Sequence, residues 1–228
     1  MMQPFTADRW AFRGSSTTSP STRSSAEISR SRPSLRTRQV VLAASCRSRS
    51  KALSLLYSDK VVTFGLCYNS FRGEGARDGI AIFVAQSLLF GEQMGWMAPK
   101  FYREMPEQAF FKKCVLLRKQ FREFFFGTML RPPKLSDDAP RLRYENCPHA
   151  YFKTVDYPAV QGALWQAKDG RRLLMLTNSQ TMEAHATMQV ELPDGEYALQ
   201  GDANGILTVT EGKAEVTIPA MGVVWVTL

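Results

Sequence analysis

The sequence predicts an α+β protein with three parts: a disordered N-terminal segment, a part in which strand and helix patterns alternate, and a small antiparallel β-sandwich. Three observations lead to this fold class. Residues 1–51 are rich in Ser and Arg and have no sustained apolar period. Residues 61–127 contain one short apolar run and two longer patterns typical of helices. From residue 159 onward the apolar period becomes two, and Gly-containing turns separate short runs.

The positive charge of the chain lies entirely in its N-terminal segment. The 228 residues include 29 Lys and Arg against 21 Asp and Glu, which gives a net charge of +8. Ten of the basic residues and two of the acidic ones fall in residues 1–51, so residues 52–228 carry nineteen of each. A basic excess favours nucleic-acid binding where it lies on a folded surface. We therefore expect no nucleic-acid binding by the folded body.

Residues 1–51 contain twelve Ser and five Thr, and burial of their few apolar groups cannot offset the loss of conformational entropy. Three interpretations of this segment stay open: an organelle transit peptide, an RNA-associated segment with Ser/Arg runs at 29–32 and 47–50, or a stretch that is not native to the protein. The abrupt change of composition near Lys51 favours the third. The compartment stays unknown, because we find no secretory signal and no apolar run of the roughly 18 to 20 residues that span a membrane.

The cysteine and histidine content argues against a metal site. Four cysteines are widely spaced and form no CxxC pair, and only two histidines could join them as ligands. We predict no metal and no cofactor. Cys67 and Cys114 fall in apolar strand and helix patterns, which is typical of buried free thiols.

The first folded part, residues 52–135, begins with a β-branched apolar run at 61–67 that predicts a buried strand. A polar, Gly-rich loop at 68–75 follows, and Asp78 is placed to cap the next helix. Residues 79–90 are apolar on nearly all sides, so this helix needs neighbours on most of its surface. The disordered leader cannot supply them, and the join near Lys51 is therefore expected to mark missing protein rather than a natural linker.

The second helix is predicted over residues 106–126. Apolar residues recur at three- and four-residue steps, Lys and Arg occupy the other sides, and Gly127 ends the pattern. We interpret the cationic side as a solvated face. Residues 136–158, which are rich in Pro and charge, are expected to form a linker to the last domain.

Residues 159–228 predict a sandwich of seven short strands. Asp-Gly and Asn-Gly pairs at 169–170, 194–195 and 204–205 supply turns between runs of alternating polarity. The predicted strands are 163–167, 172–177, 188–192, 196–200, 206–210, 214–218 and 223–228. Trp165 and Trp225 are interpreted as sandwich core rather than as a platform for sugars.

Carboxylates near the ends of predicted strands are the candidates for chemistry. Glu92 is the first, because it follows an apolar segment and lies between two glycines, and its alternative is a structural carboxylate bonded to backbone amides. Glu74 is the second, in the loop after the 61–67 strand, whereas Asp78 is interpreted mainly as a helix cap. Cleavage of a glycosidic bond needs two carboxylates at a set separation. The candidate substrate-binding residues are Gln93, Trp96, Tyr68 and Arg72.

The run at 57–65, followed by Leu-Phe-Gly-Glu-Gln-Met-Gly-Trp at 89–96, resembles the last part of a (β/α)8 barrel in a poorly characterised group of bacterial glycoside-hydrolase-like proteins. In that group a turn of the Gly-Glu-Gln type closes the barrel, a long Arg-containing helix follows, and a small β-sandwich ends the chain. The resemblance covers about residues 55–228. It implies a barrel fragment at 52–135, and it implies that most of the barrel, with a catalytic carboxylate, is absent from this chain.

Two functional hypotheses follow for the folded body. The first is the C-terminal fragment of a glycoside-hydrolase-like protein that acts on carbohydrate and is inactive by itself. The alternative is a non-catalytic β-sandwich module that binds carbohydrate or a protein and carries a helical adaptor. A third hypothesis, RNA association through the leader, requires salt-sensitive binding. No membrane partner is expected, and the oligomeric state stays unknown.

Overall fold

The computed structural model describes residues 55–58, 60–61, 63, 75–94, 99–105, 107–146 and 153–228. The chain divides into two units, residues 1–42 and 43–228, and every described residue lies in the second. The predictions of a disordered segment at 1–51 and of a strand over most of 61–67 therefore lie outside the described residues. Within them the protein is α+β: helices precede a set of antiparallel strands, as the sequence predicts.

Four helices form the first part of the described chain. They are α1 (Ala76–Leu89), α2 (Pro99–Glu104), α3 (Gln108–Gln120) and α4 (Arg122–Phe125). Every residue of α1 from Gly79 to Leu89 is buried, which is the outcome expected from its apolar sequence. The expectation for Asp78 is wrong. The residue that precedes the first turn is Gly75, Asp78 lies within that turn, and no side chain caps the helix.

Gly75 has a positive φ of 67°, a conformation that glycine adopts without the steric cost of a side chain. A Cβ atom at this position would lie 2.5 Å from the carbonyl oxygen of Arg143 and 2.8 Å from the Cα of Tyr144. The start of α1 therefore lies directly against the backbone of a following strand. The absence of a side chain at Gly75 is what permits this close approach.

The helix predicted over 106–126 is divided in two. Phe121 (φ −97°, ψ 22°) interrupts it between α3 and α4, and its amide donates to the carbonyl of Leu117. The apolar positions of the pattern face inward as predicted, with Phe110, Cys114 and Leu117 buried, whereas Lys112 and Lys119 are exposed. Burial raises the pKa of the Cys114 thiol, so this cysteine is a protonated, inert core residue.

Eleven strands follow the helices in the described chain. They are β1 (Thr128–Met129), β2 (Lys134–Leu135), β3 (Arg141–Asn146), β4 (Lys153–Pro158), β5 (Val160–Gln166), β6 (Arg172–Asn178), β7 (Ala184–Gln189), β8 (Gly195–Gly201), β9 (Gly205–Val209), β10 (Lys213–Ile218) and β11 (Val223–Thr227). One sheet has the order β1-β5-β6-β11-β8-β9, a second has β10-β7-β2, and a third pairs β3 with β4. The first two sheets pack as a β-sandwich.

The expected linker at 136–158 instead contains the β3–β4 pair. Arg141 pairs with Pro158 and Asn146 with Lys153, so the pair is antiparallel along its full length. The Tyr144 ring is buried and meets the ring of Phe83 edge-on at 6.2 Å between centroids. Although this segment is rich in Pro and charged residues, its strand alternates so that Tyr144 faces α1. A polar composition therefore led to the wrong expectation for an element that packs against the helix.

The seven predicted sandwich strands are present, with one shifted. The run expected at 188–192 forms β7 at Ala184–Gln189, where the burial alternates strictly. Val190 and Leu192 are buried just beyond the strand, which explains why they extended the predicted period. The predicted Asp-Gly turn between β5 and β6 is confirmed, with Gly170 at a φ of 92°.

The six-stranded sheet is buried on both faces at its centre. Residues 160–165 of β5 and 173–178 of β6 are all buried. One face packs against the helices in a cluster that includes Trp165, Leu173 and Met175, and the other faces β7 and β10 in a cluster that includes Leu164 and Leu174. Helices and sandwich therefore share one sheet as a common wall. This explains why β5 and β6 are more apolar than alternating strands.

Trp165 connects the helical part to this sheet. Its side chain is 1% exposed, its ring meets that of Phe125 edge-on at 5.3 Å between centroids, and its Nε1 donates to the carbonyl of Leu89 at 2.9 Å. The bond satisfies a carbonyl at the C-terminal end of α1, where the helix itself supplies no partner. One side chain thus fixes where α1 ends relative to β5. The interpretation of Trp165 as core is confirmed.

We expect Trp165→Phe to lower the free energy of unfolding by about 2–3 kcal/mol, because the carbonyl of Leu89 loses its donor inside the core. Trp225→Phe is the matched control. Its Nε1 donates to Gln200 Oε1 at 3.1 Å in an exposed contact, and the loss should stay below about 1 kcal/mol. Urea denaturation of the full chain measures both values. Equal losses in the two variants would contradict the anchoring role of Trp165.

Candidate functional site

Two of the six predicted site residues lie in the described chain, Glu92 and Gln93. Glu74, Trp96, Tyr68 and Arg72 lie outside it, and their roles stay predictions. Glu92 is 8% exposed and Gln93 is exposed. The structure thus describes one buried carboxylate and one exposed amide from the predicted site, which are neighbours in the chain.

A tight turn after α1 positions Glu92. Gly91 has a φ of 66°, and the Glu92 amide donates to the carbonyl of Ser87 at 2.9 Å, so the chain folds back over the last helical turn. The next amide, that of Gln93, donates to the carbonyl of Thr63 at 2.8 Å. The backbone between Gly91 and Gln93 is therefore held at both ends. Its Gly-Glu-Gln sequence suits this geometry because only the first position needs the left-handed conformation.

Arg118 of α3 holds the same turn from the other side. Its Nε donates to the carbonyl of Glu92 at 2.6 Å, and its Nη2 donates to the carbonyl of Gly91 at 3.1 Å. A guanidinium at the carbonyl end of a helix is favourable because that end carries partial negative charge. Burial lowers the pKa of Arg118, and no described carboxylate forms an ion pair with it. This geometry favours a structural role for the Glu92 backbone.

A small cavity lies beside this turn. Its volume is about 20 Å³. It is partly open to solvent, and its lining includes five aromatic residues, among them Tyr57 and Trp165, together with Arg118, Arg122 and the hydroxyl groups of Ser58 and Thr63. A volume of this size holds one or two waters or one small polar group. It cannot hold a sugar ring, and its described lining includes Gly91 but not Glu92.

Two other carboxylates of the helical part, those of Asp78 and Glu107, lie at the opposite end of α1. Arg77 Nε donates to Glu107 Oε1 at 2.8 Å, and Asp78 lies in the same first turn as Arg77. At 1.5 Å per residue, α1 separates Asp78 from Glu92 by about 20 Å along its axis. Paired carboxylates in glycosidases lie about 5 to 10 Å apart. Asp78 and Glu92 therefore cannot act on one bond.

A second described cavity is a groove in the sandwich that sequence reasoning did not find. Its volume is about 490 Å³, and Glu183, His185 and Thr217 are among its lining residues. His185 Nδ1 lies 2.7 Å from Thr217 Oγ1, and its Nε2 lies 3.5 Å from Glu183 Oε1. His185 and Thr217 occupy outward positions of β7 and β10, and Glu183 directly precedes β7. Their alternation signalled a solvated face, and nothing in the sequence indicated that the turn near Asn204 borders the same groove.

The tryptophans do not form a sugar platform in this groove. Trp165 is buried in the core, and Trp225 meets the Phe121 ring edge-on at 5.2 Å between centroids. Neither borders the groove, whose lining contains no aromatic side chain among the described residues. The groove thus offers hydrogen-bonding groups without a stacking surface.

The described part of the chain contains neither a cluster of metal-ligating side chains nor a membrane-spanning helix. No group of three or more His, Cys, Asp or Glu side chains is arranged to hold a metal ion there. No helix within the described ranges is both long enough and apolar enough to cross a bilayer.

The fold and this site define an α+β protein with a C-terminal β-sandwich and a buried turn held by arginine. No protein-family model matches the sequence, and no curated protein matches it. The noncanonic maltogenic α-amylase AmyB from Thermotoga neapolitana is similar in structure, with a TM-score of 0.45 and 11% identity over 72% of this chain and 40% of the amylase. Eubacterium rectale Amy13B is similar with a TM-score of 0.36 and 13% identity over 73% of this chain and 38% of that protein.

The glycoside hydrolase family 30 subfamily 8 xylanase Xyn30A from Clostridium acetobutylicum is also similar in structure. Its TM-score is 0.34 and its identity 10%, over 73% of this chain and 41% of the xylanase. This chain spans about two fifths of the length of these three proteins. The structural neighbours are thus glycoside hydrolases, at low identity and over part of their length.

Asp78 should make stability depend on pH. Burial raises its pKa above the ordinary 3.8, and the nearby Arg77 only partly opposes this. The folded form therefore keeps the Asp78 proton to a higher pH than the unfolded form does. The free energy of unfolding consequently falls as the pH rises from the unfolded pKa of Asp78 through its folded pKa. We expect Asp78→Asn to raise the urea midpoint at about pH 7 and to leave it unchanged at about pH 3, where both states are protonated.

The matched control for this prediction is Asp137→Asn, in an exposed turn. It should change neither midpoint. A lower midpoint of Asp78→Asn at neutral pH would contradict the prediction, because it would show that attraction between the carboxylate and the amides of the first turn outweighs burial.

Proposed function

We propose that this chain is the C-terminal part of a glycoside-hydrolase-like protein that acts on carbohydrate, and that it does not cleave glycosides by itself. In this proposal residues 52–135 are the end of a (β/α)8 barrel, and residues 159–228 are the sandwich that supports it. The observation that carries the proposal is the Gly91–Gln93 turn, which joins α1 to a residue paired with Thr63.

This pairing supports a strand–helix–strand unit. A chain segment before α1 contributes Thr63, and the segment after α1 contributes Gln93, whose amide donates to the Thr63 carbonyl at 2.8 Å. A strand, a helix packed over it and a second strand beside the first are the repeating unit of a βα barrel. In such a unit the segment after the helix starts a strand. Glu92 then lies at the end of the barrel that stabilises the fold, opposite the loops that follow the strands.

The burial of α1 supports a barrel wall in the same way. Helices of a (β/α)8 barrel form an outer ring that covers the strands. Within the described chain α1 packs against β3, α3, β5 and β6, and Trp165 donates to the carbonyl at its C-terminal end. The proposed sandwich is thus a cover for a barrel helix that would otherwise expose an apolar surface.

The inactivity of the chain follows from the distances at its carboxylates. The described cavity beside the Gly91–Gln93 turn is only about 20 Å³, and Asp78 and Glu107 lie near the other end of α1, about 20 Å from Glu92. In such a barrel Glu92 and Gln93 would lie at the end opposite the loop of Glu74, so the predicted catalytic role falls to Glu74. The predicted roles of Trp96, Tyr68 and Arg72 in substrate binding would need the rest of the barrel around them. Glu74 is the better placed of the two carboxylates, since it precedes α1 and belongs to the loop after the proposed strand.

We expect the full chain to release no 4-nitrophenol from a panel of aryl glycosides above the rate of buffer. Glu92→Gln should give the same background, and so should the control Glu191→Gln on the exposed surface of the sandwich. Absorbance at a fixed wavelength measures the release. Turnover that Glu92→Gln abolishes and Glu191→Gln preserves would contradict the proposal of an inactive fragment.

The barrel part of the proposal has a separate test in the DNA. Translation of the sequence upstream of the Leu55 codon, in all frames, should reveal further strand–helix units and a second carboxylate candidate. Upstream sequence that encodes no such units would overturn the barrel assignment, whatever the outcome of the glycoside assay.

A second candidate function is supported by the groove of about 490 Å³ on the sandwich. A non-catalytic module that binds carbohydrate or protein would use Glu183, His185 and Thr217 as hydrogen-bonding groups. Retention of the full chain on immobilised glycans, lost in Thr217→Ala and kept in Trp225→Ala, would favour this function. The same retention by both variants would exclude the groove as the site.

A further inference from the structure

Two arginines one helical turn apart border the cavity beside the Gly91–Gln93 turn. Arg118 lies on α3 and Arg122 on α4, and both line this space. Arg118 uses its Nε and one Nη2 proton for the carbonyls of Glu92 and Gly91. A guanidinium has five N–H donors, so three remain after these two bonds. The cavity is thus bordered by cationic donors that the turn does not use.

Neither arginine forms an ion pair with an acid in the described part of the chain. Among the described residues the ion pairs involve Arg77, Lys113, Arg131, Arg141, Arg171 and His185, and neither Arg118 nor Arg122 occurs in one. The guanidinium of Arg122 instead lies 5.8 Å from the centroid of the Phe126 ring. The acid closest in sequence, Glu123, pairs with Arg171 at 3.0 Å. Two positive charges therefore share one small space without a described counter-charge.

The rest of the lining suits an anion with oxygen atoms. Tyr57, Ser58 and Thr63 bring hydroxyl groups to the cavity. Aromatic rings form other parts of the wall and shield the guanidinium groups in part from water, which strengthens hydrogen bonds between a guanidinium and an anion. Such bonds are commonly bidentate when the partner is a carboxylate or a phosphate. The cavity volume of about 20 Å³ admits one or two oxygen atoms of such a group, and the open side of the cavity would leave the rest of the ligand in solvent.

We propose that the cavity between Arg118 and Arg122 is a binding site for one small oxyanion group, such as a phosphate or a carboxylate. This inference is independent of the proposed function, since it rests on the two arginines and the cavity. The site lies next to the C-terminal end of α1. An anion bound there would balance the charge of Arg118, which holds the Gly91–Gln93 turn, and that of Arg122, so binding should also stabilise the fold.

A purely structural role for the arginines gives a different expectation. Helix ends with free carbonyls carry partial negative charge, and cations near them are favourable without any ligand. In that case added anions would act through ionic strength only, and phosphate would behave like chloride. The oxyanion site and the purely structural role therefore differ in one expectation: only the first predicts that a specific anion binds.

Titration of the full chain with inorganic phosphate, and separately with acetate, at constant ionic strength set by sodium chloride, tests the site. We expect saturable heat of binding by calorimetry for at least one anion, and a rise in Tm of about 2–4 °C near saturation. A response to phosphate but not to acetate identifies a phosphate site, and the reverse identifies a carboxylate site. No saturable binding of either anion would overturn the proposal.

Arg122→Gln is the decisive variant because Arg122 is exposed and does not hold the turn. It should weaken binding about tenfold, the effect of one charge-assisted hydrogen bond. Arg122→Lys should recover part of the affinity. Lys119→Gln, an exposed cation of α3 that does not line the cavity, should leave the affinity unchanged. Equal weakening by Arg122→Gln and Lys119→Gln would show general attraction by positive charge and would overturn the site.

Discussion

The fold depends on the need of α1 to be covered on all sides. Its sequence leaves no polar face, so a layer must lie against each of its surfaces, and β5 and β6 supply one of them. The bond from Trp165 to the carbonyl of Leu89 sets the register of this contact. β5 and β6 are therefore buried on both faces, because the helices pack on one face and the second sheet of the sandwich packs on the other.

Side chains from neighbouring elements also fix the segment that follows α1. Trp165 and Arg118 hold neighbouring carbonyls, those of Leu89, Gly91 and Glu92, from two different elements. The carbonyls that a helix leaves unpaired are thus satisfied by side chains of the sheet and of α3. This arrangement explains why a Gly-Glu-Gln sequence can stand at a buried turn. The same contacts fix the backbone position of Glu92.

Several elements were predictable because their residues act locally. The apolar period of α3, the alternation of β10 and the Asp-Gly turn at 169–170 each follow from near neighbours in the chain, and all three are confirmed. The break at Phe121 and the β3–β4 pair were missed, because tertiary packing decides them. Tyr144 is buried by Phe83, which lies 61 positions earlier, and no local pattern records that contact.

The candidate site shows the same division. The sequence singled out Glu92 from its place between glycines, but the separation of Glu92 from the carboxylates near Asp78 is a property of helix length and direction. Arg118 was interpreted as part of a solvated face, because its spacing places it among other cations. Half-buried against two carbonyls, it is instead the residue through which α3 holds the turn. The cationic face of an amphipathic helix can therefore contain one guanidinium with a structural role. Once the partners of Arg118 are known, the neighbouring Arg122 is placed at the cavity beside the turn and no longer belongs simply to a solvated face.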